Sequence, residues 1–435
     1  MKKRIILKPQ KQNSKKRLSK RFLVCTLLVC LSLNYSLISS IIIPSFSLKK
    51  DTNINNQEKE IDQEIIKNAK IIVNLKENLT VSFFSEHKVS DFIESLNGEL
   101  LDDYKVDTTK LGQKEITFKY LNEDNIIIPY SFNITVVDDI PPVIWLSSTK
   151  SITTEYNGNL LEDIVCADNL DDNPKCEIVG KYNTKKVGEY KLTFNAEDKS
   201  GNKTTKKFTL KVKEPSKKST SSNTKSTKQN FSDIVKKHKK ENTKIGIDVS
   251  SWQGDIDFEA VKKAGVEFVF IRVGSKKGIT GEYFVDKKFK QNIEGFNKVG
   301  IPVGIYFYSY ANSDEAAIND AKWVLKQIKG YKIDLPVVYD WESWSFYNEF
   351  NQSFYSLSKS AQSYLSTIEK AGYKGMLYSS KKYLETVWYD LGYDVWLAHY
   401  TDETTYKGKY TYWQLCSNGK VDGIKGNVDI NIYYE

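Results

Sequence analysis

From Lys244 to the C-terminus, β-rich runs alternate with segments of helical periodicity, and this alternation restricts the fold more than any other feature of the 435-residue chain. Five strand-like runs (KIGIDVS, EFVFIRVG, IPVGIYFYS, LPVVYDWE and KGMLYSS) are each followed by a helical pattern. In SDEAAINDAKWVLKQIKG, Ile318, Ala321, Leu325 and Ile328 fall on one face, and Gly330 ends the helix. Three more runs, DVWLAHYT, YTYWQLC and NVDINIY, crowd into residues 395–432 with no room for helices between them. Strand and helix in alternation imply parallel strands. Eight strands with five helices imply an α/β TIM-like (β/α)5β3 barrel over 244–435, with its active site at the strand C-terminal ends.

Upstream, VDTTKLGQKEITFKY (Val106–Tyr120) matches YNTKKVGEYKLTFNA (Tyr182–Ala196) at a shift of 76 residues. The shift carries Gly112 onto Gly188, Phe118 onto Phe194, Phe132 onto Phe208 and Val136 onto Val212. Each copy ends in two alternating apolar and polar runs around a turn, the pattern of a half-buried hairpin, so two small all-β sandwiches are expected at 67–137 and 138–213. The second copy, with DDIPPVI at its start and DKSGN at its last turn, resembles the bacterial immunoglobulin-like domains of cell-surface proteins, which implies a spacer. Its acidic residues Asp168, Asp171 and Asp172 are read as a solvated loop rather than a calcium site, and no cofactor or metal is implied elsewhere.

The net charge of +9 does not signal nucleic-acid binding once it is placed along the chain. Residues 1–21 hold ten Lys/Arg and no acid, a basic cytoplasmic tail, and residues 215–244 hold nine lysines against two acids. Neither has aromatic interleaving or a groove-reading motif, so no nucleic-acid partner is expected. The tail runs into FLVCTLLVCLSL, and apolar character continues through residues 22–46 as a transmembrane anchor or a signal peptide. Both alternatives place the rest outside: a cell-membrane protein with one N-terminal anchor, or one secreted to the cell wall. Residues 51–66 read as a polar stalk, and 214–243 as a Lys/Ser/Thr-rich linker. In an exported chain, Cys166 and Cys176, ten residues apart, are candidates for a disulfide.

Carboxylates occupy several strand ends of the expected barrel: Asp248 on the first, Asp340 and Glu342 on the fourth, Asp429 in the eighth. Positions i and i+2 of a strand share a side, so Asp340 and Glu342 emerge together. Paired carboxyls suit glycosidic bond cleavage, one protonated to donate to the leaving oxygen and one ionised to stabilise charge at the anomeric carbon. Tyr306, Tyr308, Tyr378, Trp396, Tyr400 and Trp413 lie near strand ends where flat sugar faces would stack, and Gln414 and His399 are candidate hydrogen-bonding partners.

The blocks DVSSWQGDIDF (Asp248–Phe258), VVYDWE (Val337–Glu342), VWLAHYT (Val395–Thr401), YWQLCSNGKVDGI (Tyr412–Ile424) and VDIN (Val428–Asn431) resemble glycoside hydrolase family 25, the N-acetylmuramidase lysozymes. The resemblance spans nearly all of 244–435 in the family's order. It implies cleavage of the β-1,4 bond between N-acetylmuramic acid and N-acetylglucosamine, with peptidoglycan strands as partner. Carried over by motif, Glu342 is the general acid and later the base, and Asp340 orients the substrate 2-acetamido group. Asp248 and Asp429 complete an acidic floor that raises the acid's pKa. One departure is RVGSKKG after the second strand, where many relatives have a Lys-Ala-Thr-Glu-Gly type of block, so Arg272 and Gly274 mark an altered rim. Two other readings fit these residues: a non-catalytic wall-glycan binder, and a hydrolase of another 2-acetamido glycan such as chitin. Spacing leaves retaining and inverting outcomes open.

Overall fold

The computed structural model describes residues 66–215 and 229–435. The basic tail, the apolar segment 22–46, all but the last residue of the stalk and the centre of the linker lie outside the described residues. Among the described residues no helix is long and apolar enough to cross a membrane.

The chain divides into two compact units. In the first, which takes the chain up to Leu75 with Ile93–Asp103 and Thr117–Tyr130, strand Val73–Leu75 pairs antiparallel with Ile93–Leu96. Gly98–Leu100 likewise pairs with Tyr120–Asn122. The second unit takes Lys76–Phe92, Tyr104–Ile116 and Ser131–Glu435. The 76-residue repeat is visible in the strands themselves: Gly112–Asn122 and Ile127–Val137 recur as Gly188–Glu197 and Lys203–Lys213.

In the second copy, Gly188–Glu197 pairs antiparallel with Lys203–Lys213 and with Lys175–Val179, while Thr149–Thr153 runs parallel to Lys203–Lys213. A further pair, Val143–Trp145 with Val165–Ala167, lies outside this four-stranded sheet. Leu192, Phe194, Phe208, Leu210 and Val212 alternate along the hairpin into a core shared with Ile144, Leu160 and Ile164. Cys166 and Cys176 form a disulfide.

The C-terminal region is an eight-stranded barrel. Its strands are β1 Thr243–Val249, β2 Val269–Lys276, β3 Val303–Tyr308, β4 Val337–Asp340, β5 Gly375–Ser380, β6 Asp394–Ala398, β7 Tyr412–Lys420 and β8 Val428–Tyr434. β1 to β7 are joined in sequence by parallel ladders. β8 closes the ring antiparallel to both β7 and β1. Helices α1 Phe258–Lys263, α2 Phe289–Val299, α3 Asp314–Ile328, α4 Phe354–Lys370 and α5 Lys381–Thr386 follow the first five strands. β6, β7 and β8 follow one another without helices.

Period-two alternation sorts the strand residues. Ile247, Val249, Val269, Ile271 and Val303 join the core beneath the helices, while Phe268, Phe270, Val338, Met376, Tyr378, Trp396 and Tyr412 form a separate cluster that fills the barrel. Phe270 stacks on Trp396 with centroids 4.5 Å apart. Such rings fit only because a neighbour is small: a Cβ on Gly304 would lie 2.3 Å from the Phe270 ring.

Two expectations need correcting. The buried face of α3 is Ala317, Asp320, Ala321, Val324 and Ile328, with Ile318 and Leu325 only half-buried. Asp320 turns the face because it is fully buried and satisfied, accepting from Ser309 Oγ at 2.6 Å and Tyr283 OH at 2.7 Å. The linker also ends earlier than 243. Gln229–Asn230 pairs with β7, and helix Phe231–His238 buries Phe231 and Ile234 in the barrel core.

The second β domain does not stand apart as a spacer. Val165 and Ala167 belong to the barrel's outer core cluster. The Trp145 ring meets Tyr383 and Trp344 at centroid distances of 5.3 and 5.7 Å. Asn348, in the turn after β4, donates from Nδ2 to the carbonyls of Glu162 and Ile164 and accepts the Cys166 N–H.

Candidate active site

Asp248 and Asp429 are direct cross-strand partners in the β1–β8 ladder, so their side chains leave the same face. Asp340 ends β4 in register with Tyr308 of β3 and Tyr378 of β5, and Glu342 follows two residues later. Asp340 is buried, and both Glu342 and Asp248 act on its carboxyl to raise its pKa. Glu342 in turn raises the pKa of both Asp248 and Asp429. Four acids from β1, the end of β4 and β8 thus converge at one mouth of the barrel. Glu342 is the solvent-exposed member, although protein atoms crowd its carboxyl.

Burial is the main cause of every shift. It pushes Asp248 up to about 6, with Glu342 adding to the rise and Asn431 and Gln414 opposing it. Asp429 goes to about 8 through burial and Asp248. Asp340 is raised well above the carboxylate range by burial and Glu342, opposed by Arg272, and Glu342 is raised by burial. Carboxyls this close do not all ionise together, so the cluster retains protons at neutral pH.

The floor is held by a polar network. Oδ2 of Asp248 accepts from Gln414 Nε2 and Asn431 Nδ2, both at 2.9 Å. Gln414 Oε1 accepts from Tyr378 OH at 2.8 Å and Tyr400 OH at 3.0 Å, and Asn431 Oδ1 accepts from Trp396 Nε1 at 2.8 Å. By contrast, Asp340 Oδ1 is sealed from solvent with no partner among the described residues.

The aromatic candidates divide. Tyr306 and Tyr308 are half-buried beside the acids, where Tyr306 feels Asp248, Asp340 and Asp429 and Tyr308 feels Asp340 and Glu342. Tyr400 is 57% exposed at the mouth. Trp396 does not line the cleft: it is 2% exposed, because the narrow barrel needs its ring as filling. Trp413, 3% exposed, belongs to the cluster outside the strands and donates Nε1–H to the His399 carbonyl. Tyr378 and Gln414 are buried in the Asp248 network, which makes them positioning residues. His399 is half-buried, with Nδ1 2.9 Å from Thr404 Oγ1, and burial lowers its pKa.

Sequence reasoning overlooked Asn431 and Trp252, although both lie inside quoted blocks. Trp252 is 82% exposed directly after β1. Its turn is fixed by Ser250 Oγ accepting the Trp252 N–H and by Gln253 Oε1 accepting the Ser250 N–H. The altered rim is an ion pair: Arg272 donates to Asp286 Oδ2 from Nε and Nη2, and Nη2 also reaches Ser251 Oγ. Gly274 is required there, because a Cβ would fall 2.2 Å from the Phe284 carbonyl oxygen. A cavity of about 550 Å³ outside the barrel wall, lined by Leu365, Leu377 and Trp388 among others, includes none of the four acids, which occupy an open mouth.

The family model for glycosyl hydrolases family 25 matches residues 247–424, a span that runs from β1 to the residues just before β8. Over 193 residues the chain is 31% identical to the uncharacterised protein YegX of Escherichia coli K12, covering 43% of this chain and 68% of that one. The chain belongs to family 25. It is also 27% identical over 195 residues to an autolytic lysozyme of Clostridium acetobutylicum, covering 44% of this chain and 56% of that protein. A solved family 25 glycosyl hydrolase from Bacillus anthracis aligns at 27% identity with a TM-score of 0.39, covering 46% of this chain and 92% of that one. As a family 25 domain, the barrel is a glycoside hydrolase.

Proposed function

We propose that this family 25 barrel cleaves peptidoglycan at the β-1,4 bond between N-acetylmuramic acid and N-acetylglucosamine. The observation that carries the reading is the convergence of Asp248, Asp340, Glu342 and Asp429 with elevated pKa values, only Glu342 being well exposed. Burial raises the Glu342 carboxyl, which favours its protonated form; Glu342 gives that proton to the leaving oxygen, then takes one from water as the general base. Asp340 serves the 2-acetamido group: its unpartnered Oδ1 is an acceptor for the amide N–H, and holding that N–H aims the acetamido oxygen at the anomeric carbon. Asp248 and Asp429 keep negative potential beneath the ring as positive charge develops, and Gln414 and Asn431 fix Asp248 in place. Tyr306, Tyr308, Tyr400 and the exposed Trp252 supply stacking faces.

The alternation of strands and helices supports the (β/α)5β3 variant of the TIM barrel. The repeat and its hairpins support immunoglobulin-like domains upstream. The apolar run after a basic tail supports export, with action on the wall from a membrane anchor or after release. Digestion of purified walls tests the activity. The wild type should clear the suspension and release fragments with N-acetylmuramic acid at the reducing end, and Glu342→Gln should be slower by roughly 10²-fold or more. Undiminished clearing by Glu342→Gln, or glycan binding without new reducing ends, would reject the proposal. Faster release from chitin than from walls would reassign the substrate.

A further inference from the structure

The acidic loop of the second β domain is not the solvated cluster its sequence suggests. Asp171 is 5% exposed and engaged by Lys199, whose Nζ lies 2.6 Å from Oδ1, and Asp172 Oδ1 accepts the N–H of Ser353 in the barrel. A different trio converges instead: ligand oxygens of Asp138, Asp168 and Asp198 all lie within 4.8 Å of one another. Asp138 lies at the start of the domain, Asp168 follows strand Val165–Ala167, and Asp198 opens the final hairpin turn.

Asp168 is fully buried, and its Oδ2 is taken by the amides of Leu170 and Asp171 at 2.8 Å each. Its Oδ1 is sealed from solvent with no partner among the described residues. The charges nearest its carboxyl are Asp138 and Asp198, both negative. Beside the trio, Asn169 donates Nδ2–H to Asp138 Oδ1 at 3.0 Å, and its own Oδ1 is also buried without a partner among the described residues. Turning that amide over would offer a neutral oxygen to the same point.

We propose that Asp138, Asp168 and Asp198, with the Asn169 amide oxygen, bind a calcium ion that fixes the loop docking the second β domain onto the barrel. The donors are all hard oxygens, with no histidine or thiolate, which favours calcium over zinc. The three ligand oxygens all lie within 4.8 Å of one another, close enough for one ion with Ca–O distances of about 2.3–2.6 Å to reach them together. The loop that carries Asp168 is closed by the Cys166–Cys176 disulfide and caps α4. Its carbonyls at Asp168 and Asn169 accept the N–H groups of Phe354 and Tyr355, and Asp172 takes that of Ser353. These are backbone donors at the start of a helix, which have no partner within the helix itself. An ion held at Asp168 therefore restrains the contacts that anchor α4, the helix following β4 and Glu342.

The test is calcium titration of the chelator-stripped full chain by calorimetry, with melting temperature read in parallel. Binding of about one calcium ion per chain at this site is expected, with Kd near the 10⁻⁴–10⁻³ M of extracellular modules or tighter and a rise in Tm on saturation. Magnesium at the same concentration should give a smaller rise. Asp138→Asn keeps an acceptor for Asn169 and can donate to Ser200 Oγ, so it should fold while weakening calcium binding at least tenfold; Asp198→Asn should weaken it likewise. Absence of saturable uptake by the wild type up to about 10 mM, or uptake unchanged in both variants despite native circular dichroism, would overturn the proposal.

Discussion

Replacing Asp429 by Asn should stabilise the protein, by an amount that grows with pH. Asp429 faces Asp248 across the β1–β8 ladder, and paired residues of this kind have Cβ atoms roughly 5 Å apart. Burial and this neighbour raise Asp429 to about 8. Unfolded, the same carboxyl titrates near 4, so between those values the folded state binds more protons than the unfolded state. The stabilisation from the protonated form is complete below about pH 4 and is lost as pH rises through about 8. Asparagine keeps the shape of the protonated acid and never ionises. A difference of about four pKa units sets a ceiling near 6 kcal/mol. Asp429 is partly open to solvent and shares its protons with Asp248, so about 2 kcal/mol is expected at neutral pH. Two charges about 5 Å apart at an effective dielectric of about 20 repel by roughly 3 kcal/mol, which agrees in scale. At about 2–4 °C per kcal/mol, the variant should melt some 4–8 °C higher at neutral pH, with the gap narrowing towards about pH 5. Scanning calorimetry of both proteins across about pH 5–9 reads this directly. A gap that stays constant with pH, or an Asn variant that melts lower at about pH 8, would refute the reasoning.

Three further outcomes follow from the same geometry. Asn431→Ala leaves the Trp396 indole N–H unpaired and removes a donor from Asp248, so stability should fall by about 1–3 kcal/mol and the acidic limb of the pH–activity profile should move upward; an unchanged profile would show that Asn431 does not tune Asp248. Replacing Cys166 and Cys176 together by Ser frees an eleven-residue loop, at an expected cost of about 3 kcal/mol in denaturant melts, and an unaltered midpoint would show that the α4 contacts alone hold the loop. Phe231→Ala should cost roughly 3 kcal/mol in the same assay, and a loss below about 0.5 kcal/mol would mean that helix Phe231–His238 is not part of the barrel's stability.

The barrel was legible because its strands are β-rich runs at regular spacing, and the acids were legible because Asp340 and Glu342 sit two apart at a strand end. The hairpin of each β domain followed from a repeat whose strand bounds recur at the 76-residue shift to within one residue. What escaped the sequence depends on contacts between distant residues. Trp396 and Trp413 carry the same chemistry as cleft aromatics, and only the barrel's closure decides that one fills its interior and the other its outer wall. The apolar stripe of Ile318, Ala321, Leu325 and Ile328 left out Asp320, because nothing local announces Ser309 and Tyr283 as its partners. Helix Phe231–His238 was hidden by the lysines around it, although Phe231 and Ile234 are three apart, the spacing of an apolar stripe. Asn431 sat in a quoted block and went unremarked, since an amide signals a carboxylate's support only once the carboxylate is seen beside it.

The packing of Trp145 against Trp344 and Tyr383 bears on how this enzyme can be dissected. A fragment beginning near Lys244 would lose both this indole and helix Phe231–His238, leaving Trp344 and Tyr383 bare beside the segment that carries Glu342. Fragments of that kind should clump and cleave poorly, even though Asp248, Asp340, Glu342 and Asp429 are all retained. A faithful piece of this hydrolase therefore keeps Trp145 and helix Phe231–His238 together with the barrel.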